Sequence, residues 1–279
     1  MMFFEKILII GGGNIALEIL KILLDKKPSL EVISYKPHAL CMIKQFCQKH
    51  YIPYHAYDCP TKITQFLSNI SEKTLIISAN NNYIFPQDIL SKPYFKIINF
   101  HNALLPLHKG VNAPIWSIYN QDKLAGITWH IATNTLDSGD IIIQKQISLT
   151  PEMTSLRLIK ILMELGVEAF REIRENLLNN TLISSPMPHL PFQMHTSKQL
   201  PNNGILDIHW ERPKISAFLR SMDANGVIPK PKIFLSHRQY IIESYSINAP
   251  FSESPSLFLC KDNIYMLLKQ QWGGGARET

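Results

Sequence analysis

The sequence has few cysteines, and their spacing fits neither a disulfide framework nor a metal site. The 279-residue chain contains four cysteines in no Cys-x-x-Cys pair: Cys41, Cys47, Cys59 and Cys260. That usage is typical of a reducing compartment. Three histidines of the same region also lack the spacing of zinc ligands, namely His38, His50 and His55. We therefore expect no disulfide scaffold and no bound metal.

Long apolar runs and basic blocks are missing as well. No stretch approaches the roughly 18 apolar residues of a membrane span. The N-terminus, "MMFFEKILIIGGG", lacks the basic region and cleavage site of a signal peptide. The formal net charge is +6, but no block of five or more Lys and Arg occurs, which argues against a dedicated nucleic-acid surface. We expect a soluble cytoplasmic protein. The mild basic excess fits an anionic partner such as nucleotide phosphates, a polyglutamate tail or, as a minority option, nucleic acid.

The first half of the sequence alternates short apolar runs with helical patterns. The apolar runs are "KILII" (6–10), "LEVIS" (30–34), "TLIISA" (74–79) and "KIINF" (96–100). Helical spacing lies between them, as in "IALEILKILL" (15–24). This alternation predicts an α/β fold with a mostly parallel, doubly wound, Rossmann-like sheet. In such sheets ligands bind beyond the carboxyl ends of the strands.

The second half has a different pattern. Two strands, 126–133 and 140–149, are separated by a short loop and should pair, and an amphipathic helix is predicted over 153–178. Four prolines in 179–204 indicate a linker, and a short helix and several short strands follow it. We predict a catalytic domain at 1–180, a linker at 181–204, a small β-rich domain at 205–272 and a disordered tail at 273–279.

A glycine cluster follows the first predicted strand. Gly11-Gly12-Gly13 opens the first helix in the G-x-G-x-x-A form of the dinucleotide-binding fingerprint. An acid that would hold the ribose is missing from the end of the second strand, where Ser34, Tyr35 and Lys36 stand. A tight strand-to-helix turn with close packing fits the glycines equally well. An NAD-dependent oxidoreductase is therefore an alternative only.

An amide, an imidazole and a carboxylate suggest a reaction site. Asn99 and His101 end the fourth apolar run two residues apart, so on a strand both side chains project to one side. Asp137 follows in the loop "TLDSGD". Together the three offer an oxyanion donor, a proton carrier and a group that orients the imidazole. A turn residue, a cap and an Asx turn are the structural alternatives, and spacing alone leaves both readings open.

The stretch "NFHNALLPLHKGVNAPIWSIYNQDKLAGITWHIATNTLDSGDIII" resembles the signature of the folate-dependent formyltransferase family. That signature joins Asn-x-His-x-Ser-Leu-Leu-Pro, an Arg/Lys-Gly loop, a Gly-x-Thr-x-His strand and a Leu-Asp-x-Gly-Asp/Gln loop. "IFPQDIL" (84–90) and "NNGILDIHW" (202–210) resemble further family segments, beside the folate pocket and before the C-terminal domain. Two departures are Asn102-Ala103 in the first motif and Asn203 in place of an Asp.

The resemblance implies transfer of a formyl group from 10-formyltetrahydrofolate, as co-substrate, to a primary amine. Asn99 and a protonated His101 would stabilise the oxyanion, and Asp137 would favour the imidazolium and receive the amine proton. Folate would lie against the strand ends, near Asn80, Asn81, Asn82, Tyr83, Ile84, Phe85, Pro86, Leu105 and Asp140. The acceptor would lie near Lys109, Gly110, Asn112 and Trp129.

The acceptor amine is less defined by the sequence. The compact chain, with its short C-terminal module, is most similar to sugar-nucleotide N-formyltransferases. Their substrates are dTDP- or UDP-linked amino sugars for surface polysaccharide such as O-antigen, and the resemblance implies a homodimer. "RSMDANGVIPKPKI" (220–233) is more similar to formyltransferases of peptide biosynthesis. Methionyl-tRNA is a third acceptor, and a module that only binds folate is a further alternative.

Overall fold

A computed structural model describes residues 3–37, 41–191, 193–251 and 257–270. The predicted tail at 273–279 lies outside these ranges. By its contacts the chain divides into two compact units. The first comprises Met1–Gly110, Gly126–Ile147 and Lys160–Met194, and the second Val111–Ala125, Ser148–Ile159 and His195–Thr279.

Strands and helices alternate through the first 178 residues. In chain order they are β1 (Lys6–Gly11), α1 (Gly13–Ile22), β2 (Leu30–Tyr35), α2 (Met42–His50), β3 (Tyr54–Tyr57), α3 (Pro60–Ser68), β4 (Thr74–Ala79), α4 (Gln87–Leu90), β5 (Phe95–His101), β6 (Lys109–Gly110), α5 (Ala113–Tyr119), β7 (Leu124–Ile131), β8 (Ile141–Ser148) and α6 (Ser155–Leu178). A 3-10 segment spans Leu24–Ser29.

The remaining elements are short, apart from one longer strand. They are β9 (Met194–His195), β10 (Ile205–Leu206), α7 (Arg212–Met222), β11 (Lys232–Leu235), β12 (Arg238–Ile247), β13 (Phe258–Lys261) and β14 (Ile264–Gln270). A second 3-10 segment, Pro201–Gly204, precedes β10. Within the described residues, no helix combines the length and apolar character that crossing a membrane requires.

The seven-stranded sheet has the order β3-β2-β1-β4-β5-β7-β8. Its first five strands are parallel, and β7 joins β5 in the antiparallel direction. β1 and β4 are almost fully buried, which explains their unbroken apolar runs. The Rossmann-like, mostly parallel sheet predicted from the sequence is confirmed.

One row of paired residues crosses this sheet near its carboxyl edge. Ile33 pairs with Ile10, Ile10 with Ser78, Ser78 with Asn99, and Asn99 with His130. Directly paired residues on adjacent strands project from the same face. The row is therefore aliphatic on β2 and β1 and becomes polar at β4.

The second unit contains the small sheet predicted from the sequence, a five-stranded one of order β10-β11-β12-β14-β13. Helix α7 packs Ile215, Phe218 and Leu219 into an apolar cluster with sheet residues such as Ile233 and Ile264. The same cluster includes Ile115 of α5. The unit therefore draws on segments before residue 181, whereas the sequence predicts contiguous domains. The predicted boundaries remain a prediction.

Several elements of the first 120 residues are not predicted from the sequence, among them β3, α3 and α5. β3 reads "YHAY" and α5 "APIWSIY", so neither shows a clear apolar period. Helix α3 buries only Ile63 and Leu67 and begins at Pro60, a favoured first helical residue. Short elements of this kind form because neighbouring elements supply the packing, which a local pattern does not record.

Candidate active site

Asn99 and His101 lie at the carboxyl end of strand β5. Because they are two residues apart on one strand, they project from the same face, as the spacing predicts. His101 is only 6% exposed and Asn99 is half-buried. Phe100, between them, faces the opposite side, where its ring lies 5.4 Å from that of Trp129. The strand therefore separates a polar face from an aromatic core.

Asp137 reaches this polar face from the loop between β7 and β8. Its Oδ1 lies 3.5 Å from Nδ2 of Asn99, and its Oδ2 lies 3.6 Å from Nδ1 of His101. The backbone N–H of Gly110 also donates to Oδ2, at 2.8 Å. The structure thus brings the amide and the imidazole together with a carboxylate that lies 38 positions after Asn99 in the sequence.

Gly139 allows the Asp137 loop to approach β7 closely. A Cβ at Gly139 would lie 1.9 Å from the backbone oxygen of Ile131, far inside van der Waals contact. Asp137 itself has a φ of 48°, in the left-handed region that Asp tolerates better than most residues. The Leu-Asp-x-Gly pattern therefore has a steric basis. The glycine lets the loop pack against β7, and the packed loop directs the Asp137 carboxylate toward Asn99 and His101.

His130 is a fourth polar member of the cluster. It pairs with Asn99 across β5 and β7 and is only 2% exposed. Its Nε2 lies 3.1 Å from Nδ2 of Asn99 and 3.5 Å from Oδ1 of Asp137. Its Nδ1 contacts the backbone oxygen of Ile131, at 2.9 Å. His130 is thus packed and also touches two candidate catalytic groups.

The charges of this cluster follow from its burial. Burial alone would raise the pKa of Asp137, but the hydrogen bond with His130, the attraction of His101 when that ring is protonated and the N–H of Gly110 together lower it below the usual value. Burial lowers the pKa of His101, and the attraction of Asp137 offsets this only in part. At neutral pH the site therefore holds an ionised carboxylate and a neutral imidazole.

The state of His101 corrects one expectation from the sequence. Its Nε2 lies 2.9 Å from the backbone oxygen of His108, so the neutral ring places its N–H there and its lone pair on Nδ1, facing Asp137. The expected protonated donor is therefore not the resting form, because full burial disfavours the charged ring.

Thr128 fixes the loop that follows β5. Its hydroxyl donates to the backbone oxygen of Ala103 and accepts from the N–H of Leu105 and the side chain of Gln144. Gln144 also donates to the backbone oxygen of Leu105. The Leu105 side chain is 3% exposed and both its backbone groups are paired. The residue therefore shapes the loop and offers little surface for a folate contact.

The asparagine run expected near folate begins at the end of β4. Asn80 and Asn82 are exposed, and Nδ2 of Asn80 donates to the backbone oxygen of Gly12, at 3.3 Å. Asn81 is half-buried and uses its amide internally: Nδ2 donates to Ser78 and to the backbone oxygen of Tyr83, and Oδ1 accepts the N–H of Tyr83. Asn81 is therefore a turn-forming residue.

The rest of the expected folate segment is a mixture of buried and open positions. Tyr83 is 4% exposed, and its hydroxyl is hydrogen-bonded to Thr64. Ile84 is 73% exposed, whereas Phe85 and Pro86 are half-buried. Asp140 is exposed and accepts a long hydrogen bond from Ser184. Of these side chains, Ile84 and Asp140 are the most available to a ligand.

The residues expected to contact the acceptor occupy different environments. Lys109 is 5% exposed rather than an open surface lysine, and its Nζ donates to Ser138 in the Asp137 loop. Burial lowers its pKa, and Asp137 partly offsets that. Gly110 donates its N–H to Asp137. Asn112, with a φ of 61°, caps α5 through its backbone oxygen.

Trp129 does not face a binding site, which corrects the expectation from the sequence. Its side chain is fully buried, with its ring 5.5 Å from that of Phe170. Its indole N–H donates to the backbone oxygen of Gly166, at 3.0 Å. Because Trp129 alternates with Thr128 and His130 on β7, it must face the core when they face the polar side.

The glycine turn forms a separate feature at the same edge of the sheet. A cavity of about 290 Å³ is lined by residues that include Gly11, Gly12, Ser34, Lys36 and Asn80. A Cβ at Gly11 would lie 1.9 Å from the backbone oxygen of Ala79, so close packing requires this glycine. The described part of the chain contains no group of three or more His, Cys, Asp or Glu suited to a metal.

Comparison with known proteins gives the site its context. The formyl transferase family matches residues 21–173, more than half of the chain. A methionyl-tRNA formyltransferase of Acetivibrio thermocellus is 29% identical over 196 residues, which cover 66% of this chain and 62% of that protein. The chain spans about three fifths of the length of the curated relatives it matches first.

Solved structures extend the fold comparison over nearly the whole chain. An N-formyltransferase from Helicobacter canadensis, in complex with folinic acid and dTDP-3-aminofucose, has a TM-score of 0.71 at 17% identity, covering 96% of this chain and 99% of that one. A 4-N formyltransferase from Francisella tularensis has a TM-score of 0.69 at 19% identity, covering 84% and 93%. The chain belongs to the formyl transferase family.

Proposed function

We propose that this protein transfers a formyl group from 10-formyltetrahydrofolate to the primary amine of a dTDP- or UDP-linked amino sugar. The observation that carries the proposal is the convergence of Asn99, His101 and Asp137, with the carboxylate 3.5 and 3.6 Å from the other two. In this family background, an amide donor, a proton carrier and a carboxylate around one point suit acyl transfer to an amine.

Asn99 is the group best placed to stabilise the charge that develops on the formyl oxygen. Its Nδ2 faces the interior of the cluster, because its Oδ1 accepts a hydrogen bond from Ser78, at 2.7 Å. In the resting structure the two N–H groups are directed to His130 and Asp137, at 3.1 and 3.5 Å. The second contact is long, so substrate oxygen replaces it at small cost. Such a donor typically contributes about 3–4 kcal/mol.

His101 is the group best placed to receive the proton that the amine loses. Its neutral ring carries a lone pair on Nδ1, and a proton bound there faces Oδ2 of Asp137. The carboxylate then stabilises the imidazolium in the low-dielectric interior. Asp137 is a weaker proton acceptor because its own pKa is lowered. The proposed roles are therefore Asn99 as oxyanion donor, His101 as base and Asp137 as its counter-charge.

The donor would lie where the sequence predicts folate, along residues 80–86 with Leu105 and Asp140. When bound, 10-formyltetrahydrofolate would supply the formyl group, and the proton that His101 takes from the amine would pass to the departing nitrogen, which gives tetrahydrofolate. Ile84, which is exposed, offers an apolar contact, and the asparagine turn is linked to Asn99 through Ser78. The relative from Helicobacter canadensis, which binds folinic acid, supports a folate co-substrate.

A nucleotide-linked sugar is supported as the acceptor by the structural comparisons, among which sugar N-formyltransferases recur. The product would then enter surface polysaccharide synthesis, such as that of lipopolysaccharide, in the cytoplasm, with the enzyme acting as a homodimer. Lys109 and Asn112 are the proposed acceptor contacts, together with the backbone of Gly110.

Methionyl-tRNA is the second candidate acceptor, because methionyl-tRNA formyltransferases dominate the sequence relatives. An amino acid or a carrier-bound aminoacyl group stays an alternative from the sequence. An NAD-dependent oxidoreductase is the alternative of another class, and the absence of an acid at the end of β2 disfavours it.

The test is tetrahydrofolate release from 10-formyltetrahydrofolate with a panel of amines. The panel holds dTDP- and UDP-linked 3-amino and 4-amino sugars, methionyl-tRNA and free amino acids. We expect fast release with one sugar nucleotide, and mass spectrometry should then show a gain of one formyl group on it. Release with methionyl-tRNA alone would show that the acceptor is the tRNA and not a sugar nucleotide. No release with any amine would contradict the proposal.

A further inference from the structure

Ser78 is a buried polar residue that lies outside the motifs quoted from the sequence and outside the three residues to which the proposed mechanism assigns a chemical step. It lies near the end of β4, within the otherwise apolar run "TLIISA", and is 1% exposed. Its strand partners are Ile10 on one side and Asn99 on the other. A hydroxyl at this depth needs partners, and one of its partners is the proposed oxyanion donor.

The directions of the hydrogen bonds around Ser78 follow from two groups that can act in one way only, a backbone N–H and a carboxylate. The N–H of Tyr83 is a donor only, so Oδ1 of Asn81 must face it, at 2.9 Å. Nδ2 of Asn81 therefore donates to Oγ of Ser78, at 3.2 Å. The ionised carboxylate of Asp137 can only accept, so Nδ2 of Asn99 faces it and Oδ1 of Asn99 faces Ser78. The Ser78 hydroxyl therefore donates its proton to that oxygen, at 2.7 Å.

This chain of donors determines which way the amide of Asn99 is turned. With Oδ1 held by Ser78, Nδ2 must point toward His130 and Asp137. Turned by 180°, the amide would place its oxygen against the Asp137 carboxylate and would lose the hydrogen bond that its oxygen accepts from Ser78. Oxyanion stabilisation requires the first orientation, since only Nδ2 carries protons.

We propose that Ser78, held by Asn81, is a positioning residue that keeps the N–H groups of Asn99 turned toward the reacting formyl oxygen. The inference rests on the proposed function and deepens it. Asn81 belongs to the segment expected to meet folate, so the same contacts connect that segment to the catalytic amide. Neither Ser78 nor Asn81 needs to touch the reacting atoms for this role.

The first test compares Ser78→Ala with Ser34→Ala. Ser34 is a matched control, because it is 2% exposed and donates to a backbone oxygen, that of Gly11, near the end of β2. We expect Ser78→Ala to lower kcat about 10-fold or more while leaving KM for both substrates nearly unchanged, since a lost orienting hydrogen bond acts on the transition state. Ser34→Ala should keep kcat. Equal kcat in folded Ser78→Ala and wild type would overturn the proposal.

A second variant separates orientation from folding. Ser78→Cys conserves shape, but a thiol is a weak donor, so kcat should fall here too even if Ser78→Ala proves unstable. The thermal unfolding midpoint of each variant shows that the protein measured is folded. A folded Ser78→Cys protein with wild-type kcat would contradict the positioning role.

The role of Asn81 is tested by a double-mutant cycle. Asn81→Asp keeps the acceptor for Tyr83 but removes both N–H donors, so the Ser78 hydroxyl can turn toward Asp and away from Asn99. We expect Asn81→Asp to lower kcat about as much as Ser78→Ala, and the double variant to lose little more than either alone. Asn69→Asp, the same change at an exposed site at the end of α3, is the control. If the losses of the two single variants add up in the double variant, the proposed role of Asn81 in holding Ser78 is wrong.

A spectroscopic readout keeps this inference separate from the choice of acceptor. The side-chain amide signals of Asn99 in a ¹H–¹⁵N spectrum can be assigned by their loss in Asn99→Asp. We expect Ser78→Ala to shift these signals and Ser34→Ala to leave them in place, with no substrate present. Unmoved Asn99 signals in Ser78→Ala would overturn the orientation argument. Failure of the proposed function would instead appear as absent turnover in wild type.

Discussion

Two places at the carboxyl edge of the sheet have the sequence features of a site, and the structure separates them. At the glycine turn the polar groups already have local roles: Ser34 donates to Gly11, and Asn80 donates to Gly12. In the polar cluster formed by Asn99, His101 and Asp137, the amide and the imidazole converge on an ionised carboxylate from a distant loop. A motif that fits one turn is weaker evidence than side chains that two distant segments bring to one point.

The glycines illustrate this difference. Gly11 is required by the approach of β1 to β4, which is a packing reason and independent of any ligand. Gly139 is required by the approach of the Asp137 loop to β7, and that approach aims a catalytic candidate. Both glycines avoid the same clash, with a backbone oxygen at 1.9 Å, but only one of them positions the chemistry.

The largest expected effect comes from removing the negative charge of Asp137 from the polar cluster. Asp137→Asn keeps the shape of the side chain but removes the counter-charge for His101, so we expect turnover to fall about 10³-fold. Steady-state tetrahydrofolate release measures it. Asp58→Asn, at a carboxylate whose partner is the exposed Lys62, is the control and should keep full activity. Near-normal turnover in Asp137→Asn would show that its assigned role is wrong.

The glycines give the next largest effect. Gly139→Ala should displace the Asp137 loop and lower kcat about 10²-fold, the typical result of a 1 Å misplacement. Gly11→Ala should instead destabilise the fold by about 2 kcal/mol or more, measured by denaturant unfolding, with little loss of kcat in the folded enzyme.

Gly12 is the matched control for this pair, because a Cβ there would meet nothing within 4 Å. Gly12→Ala should therefore unfold close to wild type. The opposite assignment, a large loss of kcat in Gly11→Ala and none in Gly139→Ala, would move the chemistry to the glycine turn.

The pH dependence sharpens the role of His101. Because burial lowers its pKa, the neutral base should persist below the usual pKa of about 6.5, so kcat/KM should stay level down to that pH and fall only under more acid conditions. A protonated donor would give the reverse, with kcat/KM falling as pH rises. Measurement of kcat/KM from pH 5 to 9 distinguishes the two.

The lowered pKa values of His101 and Asp137 both make the folded state less stable as the pH falls. The folded state binds protons less readily at His101 and at Asp137 than the unfolded chain does. Their contributions are therefore complete above the ordinary pKa of each group and are lost as the pH falls through the lowered values.

The smallest effect tests the placement of Trp129. Trp129→Phe removes the hydrogen bond to Gly166 from a buried position, so we expect a loss of about 1–3 kcal/mol in unfolding free energy. KM for the acceptor should stay unchanged, because the ring faces the core. A raised KM for the acceptor, with unchanged stability, would show that Trp129 contacts the substrate after all.

The sequence predicts those parts of this protein that local patterns encode. Buried strands such as "TLIISA" and the same-side placement of Asn99 and His101 follow from apolar runs and period two, and both agree with the structure. Ser78 and His130 could not be assigned in that way. Their contact with Asn99 depends on the register of β4, β5 and β7, which local patterns do not fix.

Burial explains the remaining differences between sequence and structure. Lys109 and Trp129 read as available side chains, and His101 as a cation, until the loop and core around them are known. A signal for Ser78 does exist in the sequence: a hydroxyl interrupts an apolar run at the strand end nearest Asn99. Polar residues in such positions are candidates for positioning roles.

The central claim is that formyl transfer depends on the amide of Asn99. The most direct test is single-turnover release of tetrahydrofolate by wild type and Asn99→Ala, with both substrates saturating and the accepted amine taken from the panel. The account predicts a rate at least about 10²-fold lower in Asn99→Ala, with folate binding retained. Equal rates in the two proteins would contradict it.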